Sequence, residues 1–240
     1  MVKMKIDSFV EELKKLKIDC HQKQLEMLNI YYEYLIEYNS HTNLTAITEK
    51  EDIYLKHFYD SLTLNSVIDL NQIDNMIDIG SGAGFPGVVL KIFFPHMHVT
   101  ILDSNNKKTT FVAKLIEKLG LSGIEVVNAR AEDYAKDKMN SFDMCVSRAV
   151  AFIDIITELS LPLIKKSGKV ALMKGNFENE IVTLKKYQQK LNISNYKINK
   201  VILPNNDERN IVILEKEKET NKLLTYSQIV KRNKVWNDKK

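Results

Sequence analysis

The stretch Ile77-Asp78-Ile79-Gly80-Ser81-Gly82-Ala83-Gly84-Phe85-Pro86-Gly87 decides how the chain is read. The apolar run at 76–79 predicts a short buried strand, and three glycines at every second position then turn the chain. Pro86 suits the first turn of a following helix. Glycine permits positive φ and lets a ligand lie against bare backbone where a Cβ would collide. Gly82, Gly84 and Gly87 also satisfy G-x-G-x-x-G literally, the pattern of a dinucleotide-binding turn, although a plain tight turn satisfies it too. The surroundings of the stretch have to choose between these readings.

Around it, strand and helix patterns alternate, which argues for a parallel α/β sheet. Strands are predicted at 76–79, 99–102, 124–128, 144–147 and 170–173, and helices at 86–93, 106–119, 152–164 and 178–191. Gly120 and Gly168 fall where helix C-caps are expected. Residues 196–203 and 211–215 read as an antiparallel hairpin with a polar connection, bringing the sheet to seven strands.

Upstream, residues 1–70 read as a helical extension, with 71–215 as the core and 216–240 as a tail. Asp7 is the expected cap of a helix with Phe9, Val10, Leu13 and Leu16 on one face. Asp19 is the expected cap of a second, where Leu25, Leu28, Tyr32 and Leu35 recur at helical spacing. A third, over 50–68, carries His57 and Asp60 on one face, where a local hydrogen bond between them is the plain expectation. Tyr31, Tyr32, Tyr34 and Tyr38 offer a stacking surface for bases or ordinary amphipathic packing, and packing is expected.

Composition narrows the function classes. Apolar residues make up 44% and charged residues 28%, which suits an ordinary globular protein. No apolar run approaches the roughly 20 residues that span a bilayer, and the N-terminus lacks a signal-peptide core, so a cytoplasmic protein away from membranes is expected. Cys20 and Cys145 are too far apart for a C-x-x-C site, and Cys145 lies in an apolar run that predicts a buried thiol. The five histidines are scattered, so no metal is expected. The net charge is +4, yet residues 216–240 alone carry a net +5 and the rest a net −1. The positive excess lies in the tail, where Tyr226 and Trp236 are interleaved with Lys231, Arg232 and Lys234, a pattern suited to RNA.

In open α/β sheets, ligands bind beyond the carboxyl ends of the strands. Asp103 follows the second strand, nineteen residues after Gly84, the place for a carboxylate that accepts ribose hydroxyls. Arg130, Ala131 and Glu132 follow the third, Ser147, Arg148 and Ala149 the fourth, and Lys174 and Gly175 the fifth. A glycine turn with a ribose carboxylate suits a nicotinamide or flavin dinucleotide, or S-adenosylmethionine. Asp78, inside the strand beside the turn, would bind an ammonium group and repel a pyrophosphate. The extra Gly80 and the terminal hairpin also depart from a dehydrogenase domain, so S-adenosylmethionine is favoured, with Gly80, Gly82 and Gly84 against it.

The glycine stretch and strand ends resemble a class I methyltransferase, with a Rossmann-like sheet. At finer grain the chain is similar to the bacterial small-subunit rRNA guanine-N7 methyltransferases, the glucose-inhibited division protein B family. The matching stretches are Asn43-Leu44-Thr45-Ala46-Ile47, His57 with Asp60-Ser61, the glycine stretch itself, and Leu102-Asp103-Ser104. Arg130-Ala131-Glu132, Ser147-Arg148-Ala149 and Asp207-Glu208-Arg209 complete the set. The resemblance implies cofactor contacts at Gly80, Phe85, Ala131, Glu132 and Arg148, with Asp103 on the ribose, and RNA-facing roles for Arg130 and Arg209. It implies 16S rRNA, or the assembling small subunit, as partner, with the protein a monomer. The tail departs from the family, which often ends in a Pro-Arg-rich segment; residues 226–240 hold no proline.

The chemistry fits what the chain lacks. Guanine N7 has a free lone pair and needs no deprotonation, so alignment and exclusion of water suffice. No Asn/Asp-Pro-Pro-Tyr follows the fourth strand, as an exocyclic-amine enzyme would carry, and neither cysteine follows a proline, as in a cytosine-C5 enzyme. Arg148 either bonds guanine O6 or positions the cofactor carboxylate; both remain open. So do two other classes, an RNA-binding protein with a vestigial cofactor fold and a nicotinamide oxidoreductase. Every expected cofactor residue precedes position 150, so loss of the tail is expected to spare cofactor binding.

Overall fold

The computed structural model describes residues 4–175, 180, 182, 188, 191 and 193–238, the last four by backbone alone. Its strands are β1 (Asn75–Ile79), β2 (His98–Asp103), β3 (Ile124–Asn128), β4 (Phe142–Arg148), β5 (Ile164–Lys174), β6 (Ile193–Ile202) and β7 (Glu208–Lys216). They form one sheet of order β3-β2-β1-β4-β5-β7-β6. Strands β1 to β5 run parallel, and β7 lies antiparallel between β5 and β6. The strand order reverses beside β1, which pairs with β2 on one side and β4 on the other. The glycine turn therefore leaves the sheet at its switch point, where open α/β sheets bind ligands.

Alternation along β1 sends its residues to two different layers. Met76 packs with Phe9, Leu13, Leu28, Leu35, Ile53 and Phe58 of the N-terminal helices, in one continuous apolar cluster. Those helices are α1 (Ile6–Lys15), α2 (Gln22–Thr42), α3 (Lys50–Ile53), a π-helical stretch (Tyr54–Tyr59) and α4 (Asp60–Leu62). Ile77 and Ile79 face the opposite layer, with Cys145, Ile156 and Ile229. That layer is built on α8 (Ile153–Ser160) and the C-terminal helix (Tyr226–Asp238). Between the strands lie α5 (Gly87–Phe93), α6 (Asn106–Leu119) and α7 (Ala131–Tyr134). Burial pushes the Cys145 thiol up to about 12, as suits an inert core residue. Tyr31 and Tyr34 are buried, so packing is their role.

Several local expectations are corrected. Lys5, not Asp7, stands at the N-cap of α1, and Asp7 occupies its first turn. His21, not Asp19, begins α2, with its amide donating to Gln24 Oε1 at 2.6 Å. The third helix is not regular but passes from α to π to α, then to a 3-10 turn at Thr63–Ser66. Gly120 does cap α6, at φ 59°. Gly168 instead lies within β5, which starts at Ile164 because α8 stops at Ser160. Here the pairing with β4 jumps from Phe142↔Ile164 to Met144↔Lys169, and a Cβ on Gly168 would come within 2.9 Å of Lys165 O. The helix expected at 178–191 falls largely outside the described residues.

The tail is the largest departure. Lys216 is buried and donates to Asn140 Oδ1, Leu161 O and Ile164 O at 2.6–2.7 Å. Asn140 in turn exchanges hydrogen bonds with the backbone of Thr220, accepting from its N–H and donating to its carbonyl. Farther on, Ile229 is buried in the second cluster and Arg232 forms an ion pair with the buried Glu158 of α8. Charge alone suggested a segment for RNA; its apolar and paired residues also bind it to the core. Among the described residues no helix is long and apolar enough to cross a membrane.

Candidate active site

The turn after β1 holds Gly80, Gly82 and Gly84 at φ +69°, +62° and +94°, in the left-handed region that favours glycine. At Gly84 space matters as well, since a Cβ would lie 2.7 Å from Tyr31 Oη and 2.8 Å from Val88 Cγ2. The Tyr31 hydroxyl donates to Ala83 O at 2.5 Å, and its ring stacks on Phe85 with centroids 5.1 Å apart. Helix α2 thus presses directly on the turn. Asp78 is fully buried, and its Oδ2 accepts the Gly87 N–H at 2.8 Å, tying the start of α5 back to β1. Its Oδ1 and the Ser81 hydroxyl are buried without a well-formed hydrogen bond among the described residues, although the hydroxyl is near enough to act with the Gly87 amide in lowering the carboxyl. Burial raises the Asp78 carboxyl to about 7, against the lowering effect of the Gly87 amide.

Beyond the carboxyl ends of β1, β2 and β4 lies a cavity of about 330 Å³. Gly80, Asp103, Arg130, Ala131, Glu132 and Tyr226 line it, so five of the residues singled out in the sequence as cofactor or RNA contacts at the strand ends meet here. Asp103 is held by the Gly82 N–H on Oδ2 at 3.1 Å and the Asn105 N–H on Oδ1 at 2.8 Å. A carboxylate oxygen accepts more than one hydrogen bond, so both keep capacity for a diol. Asp78, Gly82, Gly84 and Phe85 belong to the adjoining turn rather than to the cavity wall.

Arg148 is engaged by the chain itself. Its guanidinium turns to the N-terminal helices, donating to Asp60 Oδ2 (2.9 Å), Lys56 O (3.3 Å) and His57 Nδ1 (3.2 Å). Its Cζ sits 5.1 Å from the centroid of the Phe85 ring. His57 and Asp60 therefore meet through Arg148, not through the local bond expected from their spacing. Burial first, and then the Arg148 charge, lowers His57 to about 3, so its ring is neutral. Lys56 O also lies 3.1 Å from Nδ1, but the always-protonated Arg148 guanidinium donates to both atoms, which leaves the proton on Nε2, 3.0 Å from Thr45 Oγ1. His57 also stacks on Phe85, centroids 4.5 Å apart. Arg209 Nε pairs with Asp60 Oδ1 at 3.2 Å, so Asp60 stands between two arginines. Arg209 and Arg232, expected to face RNA, both hold buried carboxylates of the chain itself.

Sequence reasoning missed the site roles of Tyr31 and Tyr226. Tyr31 belonged to a cluster read as packing, which is right but omits its hydrogen bond to the turn. Tyr226 lies 94 residues from Glu132, whose Oε1 accepts its N–H at 3.3 Å, and no local pattern connects them. Lys231 and Lys234 are exposed on the C-terminal helix, and Arg130 is exposed at the cavity.

A parallel sheet with this terminal hairpin, a glycine turn at its switch point and an acidic residue after β2 defines a class I S-adenosylmethionine-dependent methyltransferase. The residues fit the cofactor: the unpaired Asp78 Oδ1 suits an ammonium group and Asp103 suits a ribose. The family model for rRNA small subunit methyltransferase G (GidB) matches residues 24–212, and the chain belongs to that family. Ribosomal RNA small subunit methyltransferase G of Bacillus subtilis (strain 168) is 43% identical over 223 residues, covering 91% of this chain and 93% of the relative. That of Lactococcus lactis subsp. cremoris (strain MG1363) is 42% identical over 221 residues, covering 90% and 92%. Among solved structures, the N-terminal domain of human METTL16 in complex with SAH shares the fold, with a TM-score of 0.52 at 17% identity over 65% of this chain and 69% of that one.

Proposed function

We propose that this enzyme transfers a methyl group from S-adenosylmethionine to N7 of a guanine in 16S rRNA, acting as a cytoplasmic monomer on free rRNA or an assembling small subunit. The observation that carries this is the cavity joining Gly80, Asp103, Ala131 and Glu132 beside the turn with its unpaired Asp78 oxygen, in a chain of this family. When bound, the cofactor supplies an electrophilic methyl group that a free lone pair takes without prior loss of a proton. The chain's part is to hold and align. Asp103 binds the ribose, Asp78 the ammonium group, and Ala131 and Glu132 border the adenine end. Residues 1–70 act as a helical extension that fixes the turn through Tyr31 and through His57, which Arg148 of β4 holds in place. Arg148 is then a positioning residue, because its fork is already taken by the chain's own acceptors.

Methylation of 16S rRNA from a strain lacking the modification, with the product base mapped, tests the activity. Titration with S-adenosylhomocysteine and separately with NAD tests the cofactor; NAD alone binding would replace the reading by an oxidoreductase. Asp103→Ala removes charge-assisted hydrogen bonds to the diol, and S-adenosylhomocysteine affinity should fall 10- to 100-fold, about 1.4–2.8 kcal/mol. Unchanged affinity in a folded variant would detach Asp103 from the ribose.

For RNA, the exposed cations Arg130, Lys231 and Lys234 are proposed as phosphate contacts. Each such contact contributes roughly −0.7 to −0.9 to the slope of log K against log salt, so replacing all three by alanine should flatten the slope by about 2–2.7. An unaltered slope across a salt series would move RNA binding elsewhere. This triple variant is preferable to deleting residues 216–240, which would also remove the buried Lys216.

A further inference from the structure

The C-terminal segment reaches the cofactor cavity by a path the structure holds at each step. Lys216 is pinned under the α8–β5 turn by Leu161 O and Ile164 O. Asn140 clasps the backbone of Thr220, and Leu223 and Leu224 pack against the second apolar cluster. Thr225 and Gln228 then cap the next helix reciprocally: Thr225 N–H donates to Gln228 Oε1 at 2.9 Å, and Gln228 N–H to Thr225 Oγ1 at 3.3 Å. Such a box sets where a helix begins. Buried Ile229 and the Arg232–Glu158 pair hold that helix on α8. The outcome is that Tyr226 stands in the cavity wall with Asp103, Ala131 and Glu132, its amide on Glu132 Oε1 at 3.3 Å, while the residue remains 41% exposed.

An anchored path that ends in a half-exposed aromatic at a cavity wall needs a reason beyond packing, since Tyr226 adds little to the core. We propose that the C-terminal segment completes the cofactor site, with Tyr226 closing its adenosine end by stacking on the base and by holding Glu132 in place through its amide. This rests on the reading of the cavity as the cofactor site. It reverses the expectation that the tail is dispensable for cofactor binding. Tyr226 is a binding residue contributed by a segment whose charge had suggested only RNA.

The test is calorimetric titration of the full-length protein, its Tyr226→Ala variant and its Tyr226→Phe variant with S-adenosylhomocysteine and 5′-methylthioadenosine. Stacking of a base on an aromatic side chain is worth enough for a loss of roughly 5- to 100-fold on truncation. Tyr226→Ala should weaken both ligands by the same factor, because both carry the adenosine end, while Tyr226→Phe should stay within about twofold of wild type, since stacking needs only the ring. In hydrogen exchange, S-adenosylhomocysteine should slow the amides of residues 226–234 in wild type but not in Tyr226→Ala. Wild-type affinity in Tyr226→Ala would overturn the proposal, as would a loss confined to S-adenosylhomocysteine. Failure of the wild-type protein to bind either ligand would instead overturn the cofactor reading of the cavity.

Discussion

Arg148→Lys should cost the fold about 2–3 kcal/mol and turnover about 100-fold. The guanidinium serves three acceptors that point in different directions: Asp60 Oδ2, Lys56 O and His57 Nδ1. A lysine ammonium keeps the charge for Asp60 but has no planar fork to reach the other two. Each buried acceptor left without its donor costs roughly 1–3 kcal/mol, and the side chain of Asp60 is only 5% exposed. In a chain of this size 1 kcal/mol moves Tm by roughly 2–4 °C, so thermal denaturation should show a fall of about 4–12 °C. Turnover falls because His57 and Phe85 lose their common support, and Phe85 belongs to the turn beside the cofactor; misplacement by about 1 Å is enough for a 100-fold effect. Lost turnover at an unchanged Tm would put the guanidinium at the reacting centre, the role first expected of it.

Acid should weaken cofactor binding through Asp78. Its carboxyl is raised from an ordinary 3.8 to about 7, chiefly by burial. A raised folded value means that this group stabilises the empty fold below about pH 4, and that the contribution is lost as pH rises through 7. An ionised Asp78 therefore destabilises the empty protein, and a bound ammonium group offsets that cost. Between pH 8 and pH 6, S-adenosylhomocysteine affinity should fall by about tenfold, with His57 neutral throughout. Asp78→Asn should flatten that profile. It should also raise the Tm of the empty protein at pH 8 by roughly 4–8 °C, for a gain on the order of 2 kcal/mol, and by far less at pH 4. The variant keeps an acceptor for the Gly87 amide and gains a donor beside the unpaired Ser81 hydroxyl. Lys216, lowered to about 8 by burial, adds a pH dependence of its own that cancels in the difference between variant and wild type. A pH-independent affinity in the wild-type protein would remove Asp78 from the ammonium site.

The α/β core was legible because its signals are local. Alternation, glycine spacing and strand-end polar residues all lie within short windows, and β1, α6 and β3 fall within a residue or so of their expected bounds. The cavity was legible too, since a parallel sheet sends its strand ends to one edge, bringing Asp103 and Glu132 beside Gly80. The failures depend on partners distant in sequence. His57 and Asp60 looked like a pair on one helix face, and their partner, Arg148, is about 90 residues away. Nor does charge alone reveal the buried carboxylates, Asp60 and Glu158, that Arg209 and Arg232 hold. Gly168 resembled a helix cap because a bend inside a long strand calls for the same small residue.

The π-helical stretch Tyr54–Tyr59 sets an angular phase between the helical turn of α3 before it and that of α4 after it. A π turn accommodates one more residue than an α turn, so Asp60 emerges rotated from where an unbroken α-helix would carry it. Chain length in this stretch thereby becomes a constraint separate from side-chain identity. A change that keeps every residue between Ile53 and Asp60 but winds them as ordinary α-helix would leave the surplus residue unabsorbed, and one α-helical residue spans about 100° of rotation. With α3 still anchored by buried Ile53, the Asp60 carboxylate would swing away from both arginines even though every residue type in the clamp survived. Deleting one residue together with the π turn would restore the clock position of everything downstream, so residue count and winding must change together to leave the clamp intact.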